Sequence, residues 1–340
     1  MMRSWFILVC SLSVSLAFSI QTRADASRTQ TIQLSQGWNA VFLEVYPPDS
    51  DPEIVFTNTP VDIAATFYSP GSPAQFITDP SADLFRNAGW GTWYASERPD
   101  AFLATLHAIY GQQAYLIHSK SAFTWQVTGA VVPAEVRWQT GDYNLVGFSV
   151  HRQAPPSFAQ FFRGSKALRH DRIYRLANGT WRRVLNPAAE AMRSGEAFWI
   201  YCDGACQYQG PLRVETTARQ GVLLAAEADG LVLRNQTDHP ISPTVEHTGS
   251  GTNSVPLSIV IQAVGDSAAP LRSVSAPQLD GPWTQPLPPL EAGRSVRVPL
   301  EVRRQDMNFH TQSSVLKIST DIGTEIWIPV IGVREDLKSE

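Results

Sequence analysis

Gly37-Trp38-Asn39-Ala40-Val41-Phe42-Leu43 and Gly141-Asp142-Tyr143-Asn144-Leu145-Val146-Gly147 are the two stretches that decide the fold of this chain. Each starts at a glycine, passes through an aromatic residue and an asparagine, and continues into apolar residues. Glycine allows a tight turn, and an alternating apolar run is typical of a half-buried strand. The two asparagines lie 105 positions apart (144 − 39). The pattern therefore predicts two turn-and-strand units that are related by an internal repeat.

Further landmarks follow both stretches in the same order. Each has a pair of prolines before a short predicted helix, then a Gly-Thr-Trp triplet, and then an apolar run. A fixed order of landmarks indicates duplicated modules. We therefore predict a mainly β fold that contains two small β-rich modules with short helices, at 27–133 and 134–213. The matched segments are Pro47-Pro48 and Pro155-Pro156, Gly91-Thr92-Trp93 and Gly179-Thr180-Trp181, and Ala114-Tyr115-Leu116-Ile117 and Ala197-Phe198-Trp199-Ile200.

The first module carries two additions. An extra loop rich in proline, glycine and aspartate runs from Ser69 to Trp90. A further helix is predicted from Pro99 to Ile109, because apolar residues recur there at spacings of three and four and Gly111 can end it. Those apolar residues are Phe102, Leu103, Leu106 and Ile109.

These landmarks resemble a module of secreted bacterial surface proteins, in which a Gly-Trp-Asn turn, a central tryptophan and a closing Gly-Tyr-Trp string mark the strands. The run Met192–Cys202, with Tyr208-Gln209-Gly210-Pro211-Leu212 after it, is similar to one subfamily of large exported proteins, some of which carry LamG-type lectin domains. The resemblance covers roughly residues 31–215. It implies a structural β module of the cell surface and brings no catalytic residues with it.

The last third of the chain has a different pattern. Six short runs alternate apolar and polar residues between turn clusters, which predicts an immunoglobulin-like β-sandwich at 214–335 and a polar tail at 336–340. The end of this region resembles bacterial Ig-like domains of surface proteins. The predicted strands are 221–225, 231–235, 255–263, 295–302, 315–319 and 324–330.

The N-terminus indicates export. Arg3 precedes an almost uncharged run, Trp5–Ile20, and Ala24-Asp25-Ala26 offers a cleavage site. This order is typical of a secretory signal peptide, which we place at 1–26. The alternative is a membrane anchor, but the run is shorter than the ~20 residues that a spanning helix needs. We therefore expect no membrane span after cleavage, and a periplasmic, cell-surface or extracellular location.

Two cysteines, Cys202 and Cys206, remain after that cleavage and flank an Asp-Gly turn. In an oxidising compartment such a pair predicts a disulfide. The alternatives are two free thiols or half of a zinc site. No second pair of ligands at suitable spacing follows, so we expect no metal.

Charge and motifs exclude several function classes. The net charge of −4 provides no basic surplus for phosphates, so nucleic-acid binding is disfavoured. Phosphate loops, dinucleotide fingerprints and zinc-protease motifs are missing, and no cofactor is expected. Three weak catalytic candidates remain, and we interpret each as structural: Gly147-Phe148-Ser149-Val150-His151, Arg169-His170-Asp171, and the carboxylate pair Glu190 and Glu196.

The aromatic residues supply the remaining functional signal. Trp90, Trp93 and Tyr94 follow the extra loop and are the candidate binding residues, the alternative being simple packing. We predict an exported, non-catalytic structural or interaction protein of the cell envelope or extracellular matrix, whose partners are envelope and surface proteins or glycans. The alternative is a carbohydrate-binding protein that uses exposed aromatic residues of the first module. A hydrolase with an unrecognised site is the weakest hypothesis.

Overall fold

The computed structural model describes residues 26–68, 89–133, 135–225, 229–249, 254–262, 273–275 and 282–334. Most of the predicted signal peptide, most of the extra loop from Ser69 to Trp90, and the tail at 336–340 lie outside the described residues. The prediction of a mainly β fold is confirmed. Among the described residues, no helix is both long and apolar enough to cross a membrane.

The first module has a four-stranded antiparallel sheet with strand order β2-β5-β3-β4, and a two-stranded sheet, β1-β6, that packs on one of its faces. Its only helix among the described residues begins at Asp51, whose carboxylate accepts the N–H of Glu53 at 2.9 Å. The elements are β1 (Ser27–Leu34), β2 (Gly37–Leu43), α1 (Pro52–Val55), β3 (Val61–Phe67), β4 (Trp90–Tyr94), β5 (Gln113–Ser119) and β6 (Phe123–Ala130).

The second module repeats this arrangement with strand order β7-β10-β8-β9. First, last, second and third strands are neighbours in both sheets, and each module has a short helix after its first strand. Ser157 begins that helix through a capping box with Gln160. Descent by duplication stays a prediction. The elements are β7 (Asp142–Gly147), α2 (Phe158–Phe162), β8 (Leu168–Ala177), β9 (Thr180–Arg183) and β10 (Ala197–Cys202).

The asparagine of each opening stretch braces the turn before its strand. Asn39 accepts the N–H of Ser35 at 2.8 Å and donates to the carbonyl of Ser35 at 2.9 Å. Asn144 makes the same two bonds with Gln139, at 2.7 and 3.1 Å. The motif therefore sets the start of each first strand and points to no ligand.

The two four-stranded sheets pack against each other through one apolar cluster, which we call the inter-module face. Strand register identifies equivalent positions, because Ala40 lies opposite Leu116 in the first sheet and Leu145 opposite Trp199 in the second. Every described member of the cluster has its equivalent from the other module in the same cluster. The pairs are Trp38 and Tyr143, Ala40 and Leu145, Ala65 and Tyr174, Phe67 and Leu176, Trp90 and Trp181, and Leu116 and Trp199.

The register corrects one match that the sequence predicted. Trp90 lies opposite Phe67, and Trp181 lies opposite Leu176, so Trp90 and not Trp93 is the equivalent of Trp181. The two Gly-Thr-Trp triplets therefore have the same sequence, but their positions in the strand register differ by three residues. Trp90 and Trp181 are therefore counterparts, and both contribute to the inter-module face.

The centre of the contact between modules is asymmetric. Phe42 and Gly147 are equivalent positions, since Phe42 lies opposite Ala114 and Gly147 lies opposite the equivalent alanine, Ala197. A Cβ on Gly147 would lie 2.2 Å from the Cβ of Phe42. The backbone N–H of Phe42 donates to the carbonyl of Gly195 at 2.9 Å. The contact thus has space for the Phe42 side chain of the first module only because the equivalent residue of the second module, Gly147, has no side chain.

The remaining strands form a β-sandwich of two five-stranded sheets around one core. The sheet orders are β11-β13-β18-β15-β16 and β12-β20-β19-β14-β17, with β12 and β20 parallel. This matches the immunoglobulin-like prediction. The strands are β11 (Leu212–Thr216), β12 (Val222–Leu224), β13 (Asp229–Asn235), β14 (Pro243–His247), β15 (Leu257–Gln262), β16 (Ser273–Ser275), β17 (Trp283–Pro286), β18 (Ser295–Val302), β19 (Thr311–Thr320) and β20 (Glu325–Val333).

Glu44 links all three parts of the chain and is 4% exposed. Its carboxylate accepts hydrogen bonds from the Arg28 guanidinium on β1 and from the Ser149 hydroxyl just after β7. The same guanidinium stacks over the ring of Trp327 on β20, with Cζ 4.3 Å from the ring centre. The buried carboxylate therefore ties the first module to the second and, through Arg28, to the sandwich, which is also bonded to the second module by the backbone of Ser149 and His151.

The predicted helix from Pro99 to Ile109 is wrong. Only one 3-10 turn forms there, Ala101–Leu103, and Phe102 on it is 82% exposed. The backbone N–H groups of Thr105 and Leu106 instead donate to the carbonyl of Thr92 on β4, at 2.7 and 3.0 Å. Hydrogen bonding to the edge strand thus replaces the bonds that a helix would make within itself.

Gly147→Ala is expected to destabilise the protein by about 1–3 kcal/mol, because the new methyl group overpacks against Phe42. Urea denaturation measures the change in the free energy of unfolding. Gly204→Ala is the matched control, since a Cβ there has 4.0 Å to its nearest neighbour, Ala167. Equal stability of the two variants would contradict the close packing between the modules.

Glu44→Gln is expected to cost about 3 kcal/mol, because it leaves the buried Arg28 guanidinium without its counter-charge. The same denaturation experiment reads this loss. Glu97→Gln removes an equal charge from an exposed pair with Lys120 and should leave the midpoint unchanged. A midpoint for Glu44→Gln as high as that of the wild type would show that this carboxylate does not hold the parts together.

Candidate functional site

The structure separates the three predicted binding residues. Trp90 is 9% exposed and packs between the sheets, 5.3 Å from Phe67 and 6.5 Å from Trp199 between ring centres. Trp93 lies on the opposite face of β4 and is 5% exposed. Tyr94 is half-buried at the end of the strand. The predicted exposed patch of all three residues is therefore not formed.

Trp93 and Tyr94 do meet at one place, an open cleft of about 400 Å³ on the first module. The start of α1 forms one wall, and the segment after β4 forms the other. Polar side chains are interspersed with the aromatic and aliphatic ones. The lining residues that carry the chemistry are Asp51, Glu53, Trp93, Tyr94, Ser96 and His107.

Glu53 and Trp93 are held to each other across the cleft wall. The indole N–H of Trp93 donates to Oε1 of Glu53 at 3.2 Å. The ring of Trp93 stacks on Phe56, with centroids 5.1 Å apart and planes 29° apart, and this fixes its orientation. The Glu53 carboxylate is thereby positioned at the cleft with further acceptor capacity.

Tyr94 is supported from behind by an arginine network. The guanidinium of Arg98 lies 5.8 Å from the ring centre of Tyr94 and donates to Asp100 at 2.8 Å and to Asp62 at 2.8 Å. Hydrogen bonding to Asp100 raises the pKa of Arg98, and the same bond lowers the pKa of Asp100. Asp62, which is buried, also contacts Nδ1 of His118 at 2.5 Å. The Tyr94 wall of the cleft is thus held in place by the ion pairs of Arg98 with Asp62 and Asp100.

The cleft combines the half-buried ring of Tyr94 with carboxylate, hydroxyl and imidazole groups, whereas the Trp93 ring is 5% exposed and stacks on Phe56. Flat apolar rings contact the faces of sugar rings, and carboxylates accept hydrogen bonds from hydroxyl groups. This chemistry suits a polyhydroxylated ligand. The sequence found Trp93 and Tyr94 but missed Glu53, whose only sequence signal is the helix start at Asp51-Pro52.

The weak catalytic candidates each have a structural partner. The Ser149 hydroxyl donates to Glu44, as described above. Glu196 accepts from Nε of Arg175 at 3.0 Å, and Glu190 lies 3.7 Å from the same guanidinium. Two carboxylates that share one arginine are held as counter-ions.

Charged neighbours also engage the third candidate. Asp171 accepts from Arg169 at 3.0 Å, and Arg169 bridges on to Asp203 at 2.9 Å. The side chain of His170 lies outside the described residues. Across the described ranges, His, Cys, Asp and Glu side chains do not gather in groups of three or more that could hold a metal ion.

The predicted disulfide is absent, and Cys202 and Cys206 are free thiols in the structure. Cys202 ends β10 with its side chain buried, and its thiol donates to the carbonyl of Gly204 at 3.1 Å. The Cys206 sulfur accepts the N–H of Tyr208 at 3.4 Å. Each sulfur has its own local hydrogen bond, so the turn keeps its shape without a covalent link.

Comparison with known proteins adds little to this geometry. No family model matches the chain, and no curated protein matches it. Among the solved structures, 19 chains match. One is the Enterococcus faecalis MSCRAMM ACE, described as binding its ligands by the collagen hug model. It is 8% identical, with 90% of each chain covered and a TM-score of 0.21.

The two thiols are expected to react with iodoacetamide at different rates. Burial raises the pKa of the Cys202 thiol, so less thiolate forms there at a given pH and alkylation is slower than at the half-buried Cys206. Peptide mass spectrometry after timed alkylation without reductant measures both sites. A peptide in which Cys202 and Cys206 are joined would contradict the free thiols.

Proposed function

We propose that this chain is an exported, non-catalytic interaction protein of the cell envelope or extracellular matrix. The observation that carries the proposal is that the serine and glutamate side chains considered as catalytic candidates form structural hydrogen bonds and ion pairs. Ser149 and Glu44 join the modules, and Arg175 neutralises Glu190 and Glu196. Among the described residues, Ser149, Glu190 and Glu196, which the sequence offered as catalytic candidates, are thus engaged in holding the sheets.

The architecture supports the same proposal. Three β units are fixed to one another by the inter-module face and by Glu44, so surfaces on different units keep a set spacing. Rigid scaffolds of this kind suit binding, because little conformational entropy is lost when a partner docks. The resemblance to modules of secreted bacterial surface proteins and the signal-peptide pattern at 1–26 favour an envelope or matrix location.

Incubation of the purified protein with envelope and matrix material from its source cells tests this proposal. We expect the protein to co-sediment with that material, with saturation, and to leave its protein and glycan components unchanged in mass. Failure to bind, or cleavage of a component, would contradict an interaction role without catalysis.

Saccharide binding at the cleft is a second candidate function, favoured by the pairing of Trp93 with Glu53 at 3.2 Å. The half-buried Tyr94 ring and the Glu53 carboxylate line one cleft there, and ligand sites combine apolar groups with a few convergent polar groups. The ligand would be a neutral glycan, because Asp51 and Glu53 repel anions.

Glu53→Gln is expected to weaken the binding of a neutral glycan by about tenfold or more, because a hydrogen bond to a charged acceptor is replaced by a weaker one. A glycan array identifies the ligand, and titration calorimetry measures the affinity. Glu215→Gln removes an equal charge from the exposed pair with Arg213 on the sandwich and is the matched control. Equal binding by wild type and Glu53→Gln would exclude the cleft.

A further inference from the structure

The outer half of the second module's sheet presents a group of aromatic side chains beside the inter-module face. Tyr143 on β7 and Tyr201 on β10 are directly opposite each other, with ring centres 5.0 Å apart. Tyr174 on β8 lies 5.9 Å from Tyr143. All three rings are half-buried. We call these tyrosines, together with Arg172, the tyrosine–arginine face.

A β-bulge brings the arginine onto this face. The register between β10 and β8 shifts between Ile200 and Cys202, so that extra residues of β8 stand opposite Tyr201. Arg172 comes from this bulge, and its Cζ lies 4.7 Å from the ring centre of Tyr201. Bulges redirect side chains, often beside functional sites. Arg172 is exposed and its guanidinium lies over the ring of Tyr201.

The first module has a bulge at the equivalent position, but the charged side chain on that bulge is paired within the module. Its register shifts between Val61 and Ile63, and Asp62 from that bulge contacts His118 at 2.5 Å. His118 is the equivalent of Tyr201, and Asp62 is paired a second time with Arg98 at 2.8 Å. The charge of the first bulge is therefore neutralised within the module.

The charge of the second bulge is not neutralised in this way. No carboxylate of the described residues lies within 4.0 Å of the Arg172 guanidinium, and the one next to it in sequence, Asp171, is bound to Arg169. Arg183, opposite Tyr174 on β9, adds a second cation and donates only to the backbone carbonyl of Asp171, at 2.7 Å. The face thus carries two guanidinium groups, those of Arg172 and Arg183, and its charge is complementary to that of an anion.

The phenol groups place polar atoms beside the aromatic rings, and the Tyr143 and Tyr174 phenols are hydrogen-bonded to each other. Burial raises the pKa of Tyr143, with a further contribution from the neighbouring Tyr174, although a phenol is protonated at neutral pH even without this shift. Protonated phenols both donate to and accept from hydroxyl groups. Their ring faces offer flat apolar surface.

We propose that the tyrosine–arginine face binds a carboxylate-bearing saccharide, that is, a polysaccharide that contains uronate residues. The sugar ring packs against the tyrosines, and its carboxylate is bound by Arg172 through charge-assisted hydrogen bonds. An acidic peptide fits less well, because peptides add to the unpaired edge of a sheet, whereas these groups project from its face. This site rests on the proposed interaction function and lies apart from the cleft of the first module.

Titration calorimetry of the full chain with a homogeneous oligogalacturonate tests the proposal, with a neutral oligosaccharide of the same length as the comparison ligand. We expect binding of the uronate only, weakening as salt is added. Arg172→Gln should reduce the affinity by about tenfold or more. Arg182→Gln is the matched control, because it removes the same charge from the opposite face of β9 and should bind as the wild type does. Tyr201→Leu, which keeps apolar volume but loses the ring, should also weaken binding.

Several outcomes would overturn this site. They are no uronate binding at low salt, equal loss in Arg172→Gln and Arg182→Gln, or binding of an acidic peptide with no binding of the uronate. The unfolding midpoint of each variant separates loss of binding from loss of fold. Envelope binding that survives in Arg172→Gln would leave the proposed interaction function standing while this site fails.

Discussion

Burial of the inter-module face is the interaction on which the rest of the structure depends. A small antiparallel sheet is not stable when one apolar face is open to water, and each sheet here has such a face. Burial of a large apolar side chain contributes about 1.5–3 kcal/mol. Trp90, Trp181 and Trp199 are buried in this single contact, so each sheet depends on the other to keep its apolar face out of water.

That contact also determines where ligands can bind. The inner half of each packed face is closed, and β1-β6 covers the opposite side of the first sheet, which leaves the edge of the first sheet at β4 and the outer half of the second sheet. The cleft lies on the former, where Trp93 points away from the other module. The tyrosine–arginine face lies on the latter. The way in which the two similar sheets pack therefore determines which surfaces remain accessible for both candidate sites.

The fold was predictable from the sequence where its signals were local. Alternation of apolar residues placed β2, β5, β7 and β10 because each strand is read from its own residues. The helix at Pro99–Ile109 failed because its bonds go to Thr92 on an edge strand, which periodicity does not report. The Gly-Thr-Trp match failed because register, unlike letter order, depends on pairing with β3 and β8. The cleft needed the contact between Glu53 and Trp93, 40 residues apart in the chain, and no spacing rule predicts it.

Phe42 and Gly147 give the contact between the modules a preferred pairing. Two copies of the first module would bring one phenylalanine against another where space exists for a single ring. Two copies of the second would place glycine against glycine and leave a void, which forfeits packing energy. Only the mixed pair fills the space. Each module therefore selects its neighbour in the same chain over the same module in another molecule, which keeps the chains separate even at high concentration.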